Sequence, residues 1–342
     1  MLGIETSCDE TGIALVRGRR LLADVTASSM EDHARFGGII PEIASRAHLE
    51  VFAPTLDAAL TQAEVDLGDI DAIAVTAGPG LVGALTVGLS AAKALAVGLE
   101  VPLYGVNHII GHLAVDELAN GAFPDHFIGL VVSGGHTNLF EVRDIARDVT
   151  ELGHTLDDAA GEAFDKVGRL LGLPYPGGPH IDRLSKQGDP AAINFPRGLS
   201  RGRELARHPY NFSFSGVKTA VARYIEELTD SGKPLPTADI AASFSEAVVE
   251  VLVTKSMAAC TATGATTLVV GGGFSANSRL RELITAHGEA HGVQVRIPAP
   301  RYCTDNGAMI AALGSALTRA GVAPSALDIP AASAMDLSQI RA

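Results

Sequence analysis

The chain has 342 residues, of which 47% are hydrophobic, and it carries a formal net charge of −13. This length accommodates two domains with buried cores, and the acidic balance argues against a protein that coats nucleic acid by charge alone. Three cysteines without zinc-site spacing, and an N-terminus that enters an apolar run at once, indicate a reduced, cytoplasmic protein without a signal peptide. The apolar stretch 81–102 contains Lys93 and many small residues, so it predicts a buried helix and no membrane span.

Two sequence patterns each occur twice along the chain. Residues 3–16 and 129–142 both read as an apolar run, a short polar or glycine-rich turn and a second apolar run, which predicts a β-hairpin with an unusual tip. Residues 72–96 and 266–286 both read as a buried strand, a glycine-rich turn and a helix that opens with small residues. Glycine lets backbone N–H groups approach a ligand, and helix N-termini favour anions. The repeat predicts an α/β fold of two related lobes, with four glycine-rich turns around a nucleotide cleft.

Lobe I is predicted to cover residues 1–107. A helix is expected over 41–61, because a proline suits its first turn and apolar residues recur along one side. The helix that follows Asp305, about residues 306–330, is expected to return to this lobe. The last residues, 331–342, are expected to form a frayed tail.

Lobe II is predicted to cover residues 108–305. Its hairpin is followed by a segment over 153–220 that is rich in glycine, proline and arginine, and such long irregular segments usually carry function. Within it, residues 196–209 hold four arginines and one acid, a pattern typical either of a solvated loop or of a contact with a polyanion. Further helices are expected at about 237–263 and 277–291.

Three side chains are candidate metal ligands. His108 and His112 in NHIIGH share one helical face directly after an apolar strand, where ligand sites of α/β folds lie. A second pair at the same spacing, His287 and His291, is interpreted as a solvated helix end. Asp305 is either a helix N-cap residue or a third ligand, and two histidines with one carboxylate suit Fe(II) and also Zn(II). Spacing alone leaves the metal site open.

Other candidate functional groups lie in turns. The first hairpin tip contains the adjacent acids Asp9 and Glu10 among four hydroxyl or thiol side chains, and such acids bind a cation or accept a proton. Ser133 opens the turn SGGHT, whose N–H groups can cradle a phosphate, although many hairpins use this sequence. Asn277 after GGGFSA fits a helix cap and equally an adenosine or ribose contact.

Nine stretches, in this order, resemble the TsaD family of universal tRNA-modifying proteins. From residue 3 to about residue 312 they read GIETSCDETGIALV, GGIIPEIASRAH, TAGPGLVGAL, NHIIGHL, VVSGGHT, DDAAGEAFDKVGRLLGLPYPGGP, NFSFSGVKTAV, GGGFSANSRLR and CTDNGAMIA. The resemblance implies the actin/Hsp70/sugar-kinase (ASKHA) fold, in which two duplicated lobes surround a nucleotide cleft. It also implies an acyltransferase that moves threonylcarbamoyl from threonylcarbamoyl-AMP to N6 of adenosine 37 in tRNAs reading ANN codons. The reaction forms t6A and releases AMP.

The resemblance further implies roles for particular residues. Family metal ligands fall on His108, His112 and Asp305, for one divalent metal, with Fe(II) favoured over Zn(II). Acids at the positions of Asp9 and Glu10 matter for family activity. ATP, ADP or AMP are also expected in the cleft. Family substrate contacts fall on Val131, Val132, Ser133, Gly134, Gly135, Asp165, Gly178, Asp182 and Asn277.

The resemblance implies partners as well. These are tRNA, a paralogous TsaB-like subunit, a TsaE-like P-loop ATPase and a TsaC-like synthase that supplies the adenylate. No association with a membrane is expected. Archaeal and eukaryotic members use a different complex, KEOPS, and the sequence leaves that choice open. Two departures from the family pattern are Asn211, where relatives often carry aspartate, and the high arginine content of residues 197–209.

Three other functions compete with this interpretation. A metalloprotease is disfavoured because neither histidine pair has the glutamate of H-E-x-x-H. A sugar or acetate kinase of the same fold would use the glycine-rich turns but would not need NHIIGH together with Asp305. A catalytically inert scaffold would not need to keep the histidines, Asp305 and the SGG turn.

Overall fold

The computed structural model describes residues 1–34, 36, 38–336 and 339–341. Short 3-10 helices cover Leu67–Asp69, Gly273–Ala276 and Pro300–Tyr302. The strands are β1 (Leu2–Glu5), β2 (Glu10–Arg17), β3 (Arg20–Ser28), β4 (Ile73–Gly78), β5 (Leu103–Asn107), β6 (Phe127–Val132), β7 (Thr137–Asp144), β8 (Asp148–His154), β9 (Thr267–Gly271) and β10 (Gln294–Arg296). The α-helices are α1 (Met30–Ala34), α2 (Pro41–Ala63), α3 (Val82–Leu99), α4 (His108–Ala114), α5 (Asp116–Asn120), α6 (Ala160–Leu170), α7 (Gly177–Ser185), α8 (Gly202–Arg207), α9 (Ser215–Asp230), α10 (Thr237–Thr263), α11 (Ser278–His291) and α12 (Gly307–Arg319).

The chain forms two compact units. Unit 1 comprises Met1–Asp125, Val142–Thr150 and Pro298–Ala342, and unit 2 comprises His126–Glu141 and Glu151–Ile297. One five-stranded sheet has the order β3-β2-β1-β4-β5, and the other has the order β10-β9-β6-β7-β8. Helices accompany both sheets, so the predicted α/β class is confirmed. The lobe boundaries drawn from the sequence remain predictions.

The sheet of unit 1 begins with the hairpin predicted over residues 3–16. β1 and β2 pair antiparallel, with Ile4 opposite Ile13, whereas β1–β4 and β4–β5 pair in parallel. Successive side chains of a strand point to opposite faces of a sheet. Ile4 therefore packs with the α2–α3 side of the core, and its neighbour Gly3 lies against Ala311 of α12. Helices thus cover both faces of β1, which explains why this strand is apolar without alternation.

Helix α3 is long and apolar enough to cross a membrane by length and composition. Within unit 1 it packs on β4, and the glycine at position 88 lets it approach Thr6 of the first hairpin. The helix predicted over 81–102 is therefore present, but only one side of it is buried, about a third of its residues. The buried positions of α3 are Ala84, Leu85, Gly88, Leu89, Ala92 and Ala96.

The end of the chain was expected to be frayed, and several of its described residues make contacts in unit 1. The N–H of Ala332 donates to the carbonyl of Ala77, and the N–H of Asn107 donates to the carbonyl of Ile340. The Ile340 side chain is buried. Residues 337, 338 and 342 lie outside the described chain, so the prediction for them has no structural counterpart.

Unit 2 contains the second hairpin and the second strand–turn–helix pattern. β6 and β7 are neighbours in the sheet, as predicted for residues 129–142, and β9 leads into α11, as predicted for residues 266–286. Its core includes a contact of Phe164 with Phe244 and with Phe274, with ring centroids 4.8 and 4.7 Å apart. This aromatic cluster fixes α6 against α10 and against the turn that precedes α11.

We predict that a methyl group at Gly12 of β2 destabilises unit 1. A Cβ there would lie 2.4 Å from the backbone nitrogen of Gly307, so the strand and α12 would have to separate. Gly12→Ala should lower the free energy of unfolding in urea by about 1–3 kcal/mol. Gly98→Ala in α3 is the control, because its Cβ would meet no atom within 4 Å, and it should be neutral or stabilising by up to about 1 kcal/mol. Equal effects of the two variants would contradict this packing.

Candidate metal centre and active site

The three candidate metal ligands lie together in unit 1. β5 ends at Asn107, whose Oδ1 accepts a hydrogen bond from the N–H of Ile109 at 2.8 Å, so α4 begins at His108. The Nε2 atoms of His108 and His112 lie 3.7 and 3.3 Å from Asp305 Oδ1. The ligand atoms of the three residues all lie within 4.8 Å of one another, close enough to bind one ion.

Asp305 does not cap the helix that follows it. The N-cap of α12 is Asn306, whose Oδ1 accepts a hydrogen bond from the N–H of Met309 at 2.9 Å. The alternative interpretation of Asp305 as a helix cap is therefore wrong. Its carboxylate, with 20% of the side chain exposed, instead lies beside the two α4 histidines.

His112 fits the role of a metal ligand because its ring lacks other partners. Both ring nitrogens are buried, and neither makes a hydrogen bond to any residue that the structure describes. Leaving a buried polar group unsatisfied costs about 1–3 kcal/mol, so such groups are rare unless a ligand or ion completes them. A divalent cation on Nε2 would provide the missing partner.

Glu5, which none of the sequence patterns marks as functional, orients His108. Its buried Oε2 accepts hydrogen bonds from His108 Nδ1 at 3.1 Å and from Thr76 Oγ1 at 2.5 Å. Because the carboxylate can only accept, His108 carries a proton on Nδ1 and directs Nε2 toward Asp305. Carboxylates support metal-binding histidines in this way in many proteins. The signal in the sequence was an acid at the end of an otherwise apolar strand.

Carboxylates crowd this site and shift the pKa values within it. Burial and the nearby carboxylates of Asp305 and Asp9 raise the pKa of Glu10 to about 10. Burial lowers the pKa of His108, but the carboxylates of Asp305 and Glu5 outweigh it and raise that pKa to about 9. Although burial opposes it, His108 in turn lowers the pKa of Glu5. A divalent cation would relieve the repulsion among these acids, so the electrostatics also fit a metal.

Asp9 and Glu10, the candidate catalytic acids, lie at the end of the first hairpin. Asp9 is 5% exposed, and its Oδ2 has no hydrogen-bond partner among the described residues. Its carbonyl accepts hydrogen bonds from the N–H and the Oγ of Ser29, both at 3.0 Å. Burial and the nearby acids raise the pKa of the Cys8 thiol, so it is protonated and a poor nucleophile.

His48 of α2, which is likewise marked by none of the sequence patterns, holds the same turn in place. Its Nε2 lies 3.1 Å from the carbonyl of Cys8, and its Nδ1 lies 2.7 Å from Thr11 Oγ1. Since a carbonyl only accepts, Nε2 carries the proton, and Thr11 donates to Nδ1. Burial lowers the pKa of His48, which keeps the ring neutral and preserves this pattern.

In unit 2, the SGG turn presents open backbone groups. Ser133 Oγ accepts a hydrogen bond from the N–H of His136 at 3.1 Å, and its carbonyl accepts from the N–H of Gly161, near the start of α6, at 3.2 Å. Gly134 and Gly135 are exposed, and a Cβ on either would meet no atom within 4 Å. The turn is therefore tied to a helix N-terminus while leaving space for a ligand beside its glycines.

The strand before this turn, β6, ends in two valines whose side chains are not accessible to a ligand. Val131 and Val132 at the end of β6 are fully buried. Gly272, at φ +87°, packs directly against Val132, because a Cβ there would lie 2.4 Å from the Val132 carbonyl oxygen. The two valines thus position the SGG turn and the GGG turn next to each other.

Asp165 organises the start of α7. Its Oδ1 accepts a hydrogen bond from the N–H of Gly177 at 2.7 Å, and Gly178 also donates to this carboxylate. Burial raises the pKa of Asp165 despite these hydrogen bonds. A Cβ on Gly178 would meet no atom within 4 Å, so the first turn of α7 is open beside the carboxylate.

Asp182 and Asn277 organise the start of α11. Asp182 Oδ1 accepts hydrogen bonds from the N–H and the Oγ of Ser278, both at 2.8 Å. Asn277 is the N-cap of α11, and its Oδ1 accepts from the N–H of Leu280 at 2.9 Å. The helix-cap interpretation of Asn277 is therefore correct as far as its Oδ1 is concerned. In unit 2, Gly178 and Asn277 thus lie at helix N-termini. Asp165 and Asp182 lie within α6 and α7 and accept hydrogen bonds from the starts of α7 and α11.

The second histidine pair has a different environment from that of α4. His287 and His291 stack at the end of α11, with ring centroids 6.1 Å apart. Both are exposed, and His291 Nδ1 bonds to the carbonyl of His287 at 2.7 Å. Their interpretation as a solvated helix end is confirmed.

We predict that His48 makes stability depend on pH. A histidine whose pKa is lowered in the folded protein contributes its full stabilisation at pH values above its ordinary pKa of 6.5. This contribution declines as the pH falls below 6.5. His48→Gln should cost about 1–3 kcal/mol at pH 7.5, because Thr11 loses its acceptor. The difference in free energy of unfolding between wild type and variant should shrink below pH 6.5 by at most about 1.4 kcal/mol per pH unit. Urea unfolding at several pH values measures it, with the exposed His154→Gln as control. A difference that does not change with pH would contradict a neutral His48.

Comparisons with known proteins identify the family of this chain. The model of the family TsaD, tRNA N6-adenosine threonylcarbamoyltransferase, matches residues 20–312. A protein of that name from Bifidobacterium longum (strain NCC 2705) is 58% identical over 340 residues, which cover 99% of this chain and 98% of the relative. One of the same name from Corynebacterium diphtheriae (strain ATCC 700971 / NCTC 13129 / Biotype gravis) is 54% identical, covering 96% of this chain and 95% of the relative.

Two solved structures share the fold at low sequence identity. HypF of T. kodakarensis matches 93% of this chain with a TM-score of 0.61 and 16% identity, and this chain spans about half (47%) of it. Component A of the (R)-2-hydroxyglutaryl-CoA dehydratase of Acidaminococcus fermentans matches 94% of this chain and 98% of its own, with a TM-score of 0.52 and 14% identity. The predicted ASKHA fold is confirmed. By the match of the family model and by the identity over nearly the whole length, the chain belongs to the TsaD family of tRNA N6-adenosine threonylcarbamoyltransferases.

Proposed function

We propose that this enzyme transfers the threonylcarbamoyl group of threonylcarbamoyl-AMP to N6 of adenosine 37 in tRNAs reading ANN codons, forming t6A and releasing AMP. Its family makes it a tRNA-modifying transferase. The single observation that carries the detailed proposal is the meeting of buried His108 and His112 with the partly exposed Asp305, whose carboxylate also acts on Glu10 of the first hairpin tip.

The trio would hold one divalent metal, for which we favour Fe(II) over Zn(II) because two histidines and one carboxylate suit both. When bound, such an ion supplies Lewis acidity toward a carbonyl oxygen. His108 Nε2, His112 Nε2 and Asp305 Oδ1 would be the ligand atoms. Glu5 keeps the His108 ring in the tautomer that presents Nε2. Because His108 must lose a proton from Nε2 to act as a ligand, metal affinity should fall with decreasing pH.

Asp9 and Glu10 are proposed to act on the incoming adenine. An exocyclic amine conjugated to a purine is a poor nucleophile, so its proton must be removed as the new bond to the carbonyl carbon forms. Either acid can accept that proton once ionised. His48 and Ser29 hold the backbone of the turn, which keeps the acids in position during the reaction.

Unit 2 is proposed to bind the adenylate of the donor. The N–H groups of Gly134 and Gly135 are suited to the phosphate, and would stabilise its charge as AMP departs. Asp165, Gly178, Asp182 and Asn277 line helix N-termini where a nucleoside can be held by hydrogen bonds. Val131 and Val132 then serve the site by positioning the SGG turn. ATP, ADP or AMP would be accepted by the same groups.

We place the reaction in the cytoplasm, where tRNA is modified. The partners would be a paralogous TsaB-like subunit, a TsaE-like P-loop ATPase and a TsaC-like synthase that makes the donor. The named relatives are bacterial proteins, which supports this bacterial set of partners over the KEOPS complex.

The test of this proposal is transfer of labelled threonine from threonylcarbamoyl-AMP into tRNA, with and without the paralogous subunit and the ATPase. We expect label at adenosine 37 with wild type, and none with His112→Ala, which should also lose the stoichiometric metal. His291→Ala is the matched control, because it removes an exposed histidine of the other pair. No label with wild type in any combination of partners, with metal bound, would overturn the function. Full activity of metal-free His112→Ala would overturn the metal site.

We predict that Glu10 acts in the transfer step. Glu10→Ala should slow single-turnover transfer by about 10²–10⁴-fold, the range for losing a positioned acid or base. Glu10→Gln keeps the shape and hydrogen bonds, so a recovery with glutamine would indicate positioning of the donor, and no recovery would indicate proton transfer. Glu42→Ala, on the exposed start of α2, is the control and should have no effect. Intact single-turnover transfer by Glu10→Ala would eliminate this role.

A further inference from the structure

The arginine segment, residues 197–209, presents unpaired positive charge on an acidic protein. Arg201, Arg203 and Arg207 are exposed at the start of α8 and along it. Among the described residues, no ion pair engages any of these three, whereas Arg197 pairs with Glu250 at 2.6 Å. A chain of net charge −13 has many acids with which surface arginines can pair, so unpaired arginines close together indicate a negatively charged partner.

The N-terminal part of the arginine segment is fixed to the body of unit 2. Arg197 also donates from Nη1 to the carbonyl of Phe195 at 2.7 Å. Gly198 packs so tightly that a Cβ there would lie 2.3 Å from the carbonyl oxygen of Ser213. Leu199 adopts a left-handed φ of 52°, a conformation that non-glycine residues keep only where their surroundings hold it. The segment is therefore not a freely moving loop at this end.

A buried lysine fixes the C-terminal part. Lys255 of α10 is 2% exposed, and its Nζ donates to the carbonyls of His208 at 2.8 Å and Pro209 at 3.2 Å. No ion pair to Lys255 occurs within the described part of the chain. Burying a cation without an acid is costly, and here it is offset by carbonyls at the C-terminus of α8, where positive charge is favoured. Asn211 Nδ2 adds a hydrogen bond to His208 Nδ1 at 3.2 Å, which an aspartate at this position would have no N–H to make.

We propose that the arginine segment is a docking surface for the sugar–phosphate backbone of the tRNA substrate, held in a binding-ready shape by Lys255. This inference rests on the proposed function, which makes tRNA the substrate. Guanidinium groups bind phosphate oxygens in pairs of parallel hydrogen bonds, and an exposed guanidinium is weakly hydrated and ready to do so. Contacts with phosphates position a nucleic acid without reading its sequence, which suits an enzyme that must accept several tRNAs.

The test compares tRNA binding and t6A formation by the full chain with its partner proteins. Arg201→Gln with Arg203→Gln should weaken tRNA binding at least tenfold at low salt. The slope of log affinity against log salt should fall by about 0.7–0.9 for each phosphate that the variant no longer neutralises. KM for tRNA should rise while the single-turnover rate at saturating tRNA stays unchanged. The matched control removes two other exposed charges of unit 2, Arg223→Gln with Lys233→Gln, and should leave the slope unchanged.

A second variant tests whether tRNA binding depends on the shape of the arginine segment as well as on its charge. Lys255→Met removes no surface charge and keeps most of the buried volume, yet releases the end of α8. We expect it to weaken tRNA binding severalfold while donor binding by the same folded protein is unchanged. Unchanged tRNA affinity in Lys255→Met would overturn the anchoring role of Lys255.

These measurements distinguish failure of the docking surface from failure of the proposed function. If wild type forms t6A but the double arginine variant keeps its tRNA affinity and salt slope, the docking surface is wrong and the function stands. If that variant instead loses association with the paralogous subunit or the ATPase and keeps tRNA affinity, the segment binds an acidic protein and the proposal is overturned. If wild type forms no t6A with any partner, the proposed function itself fails.

Discussion

The close approach of α12 to the first hairpin is the constraint on which the candidate metal centre depends. Gly12 and Gly307 touch backbone to backbone, and Gly3 lies in the same way against Ala311. Larger residues at these glycines would force α12 away from the sheet. Asp305 stands two residues before Gly307, so this packing determines where its carboxylate lies relative to the histidines of α4. Asp24 Oδ1 reinforces it by accepting a hydrogen bond from the N–H of Ala308 at 3.2 Å.

The result of this packing is an unusual concentration of buried polar groups. The carboxyls of Glu5 and Asp305 lie beside the two α4 imidazoles, and Asp305 and Asp9 act on Glu10. The pKa values of Glu10 and His108 are both raised. Such a cluster destabilises a metal-free fold, because acids that cannot all ionise lie beside a ring with unsatisfied nitrogens. Destabilising clusters of this kind are typical of functional sites, where ligand binding requires polar groups that do not stabilise the fold by themselves.

In unit 2, the predicted substrate residues mainly order the backbone of turns and helix ends. Its predicted substrate residues form no buried ionic cluster; they organise the ends of helices and turns, as Asp165 does for α7 and Asp182 does for α11. Each of these carboxylates satisfies backbone N–H groups and so leaves a well-ordered helix start. The amides at these helix starts are thereby already engaged, whereas Gly134 and Gly135 of the SGG turn are exposed, with open space beside them. The arginine segment is likewise anchored at both of its ends, by the packing of Gly198 and by Lys255, while residues 201–207 are exposed.

The two hairpins, several long helices and the candidate ligands on α4 could be predicted from the chain, because apolar periodicity and glycine-rich turns are local properties. His108 directly after β5 was predictable for the same reason. The supporting roles of Glu5, His48 and Lys255 were not, since each depends on a partner far away in sequence: His108 lies 103 residues from Glu5, and His208 lies 47 residues from Lys255. Local patterns specify which residues can bind a metal or an anion. Only the tertiary packing of α12, α2 and α10 decides which of those residues are brought together, because burial and hydrogen-bond geometry arise between elements and not within them.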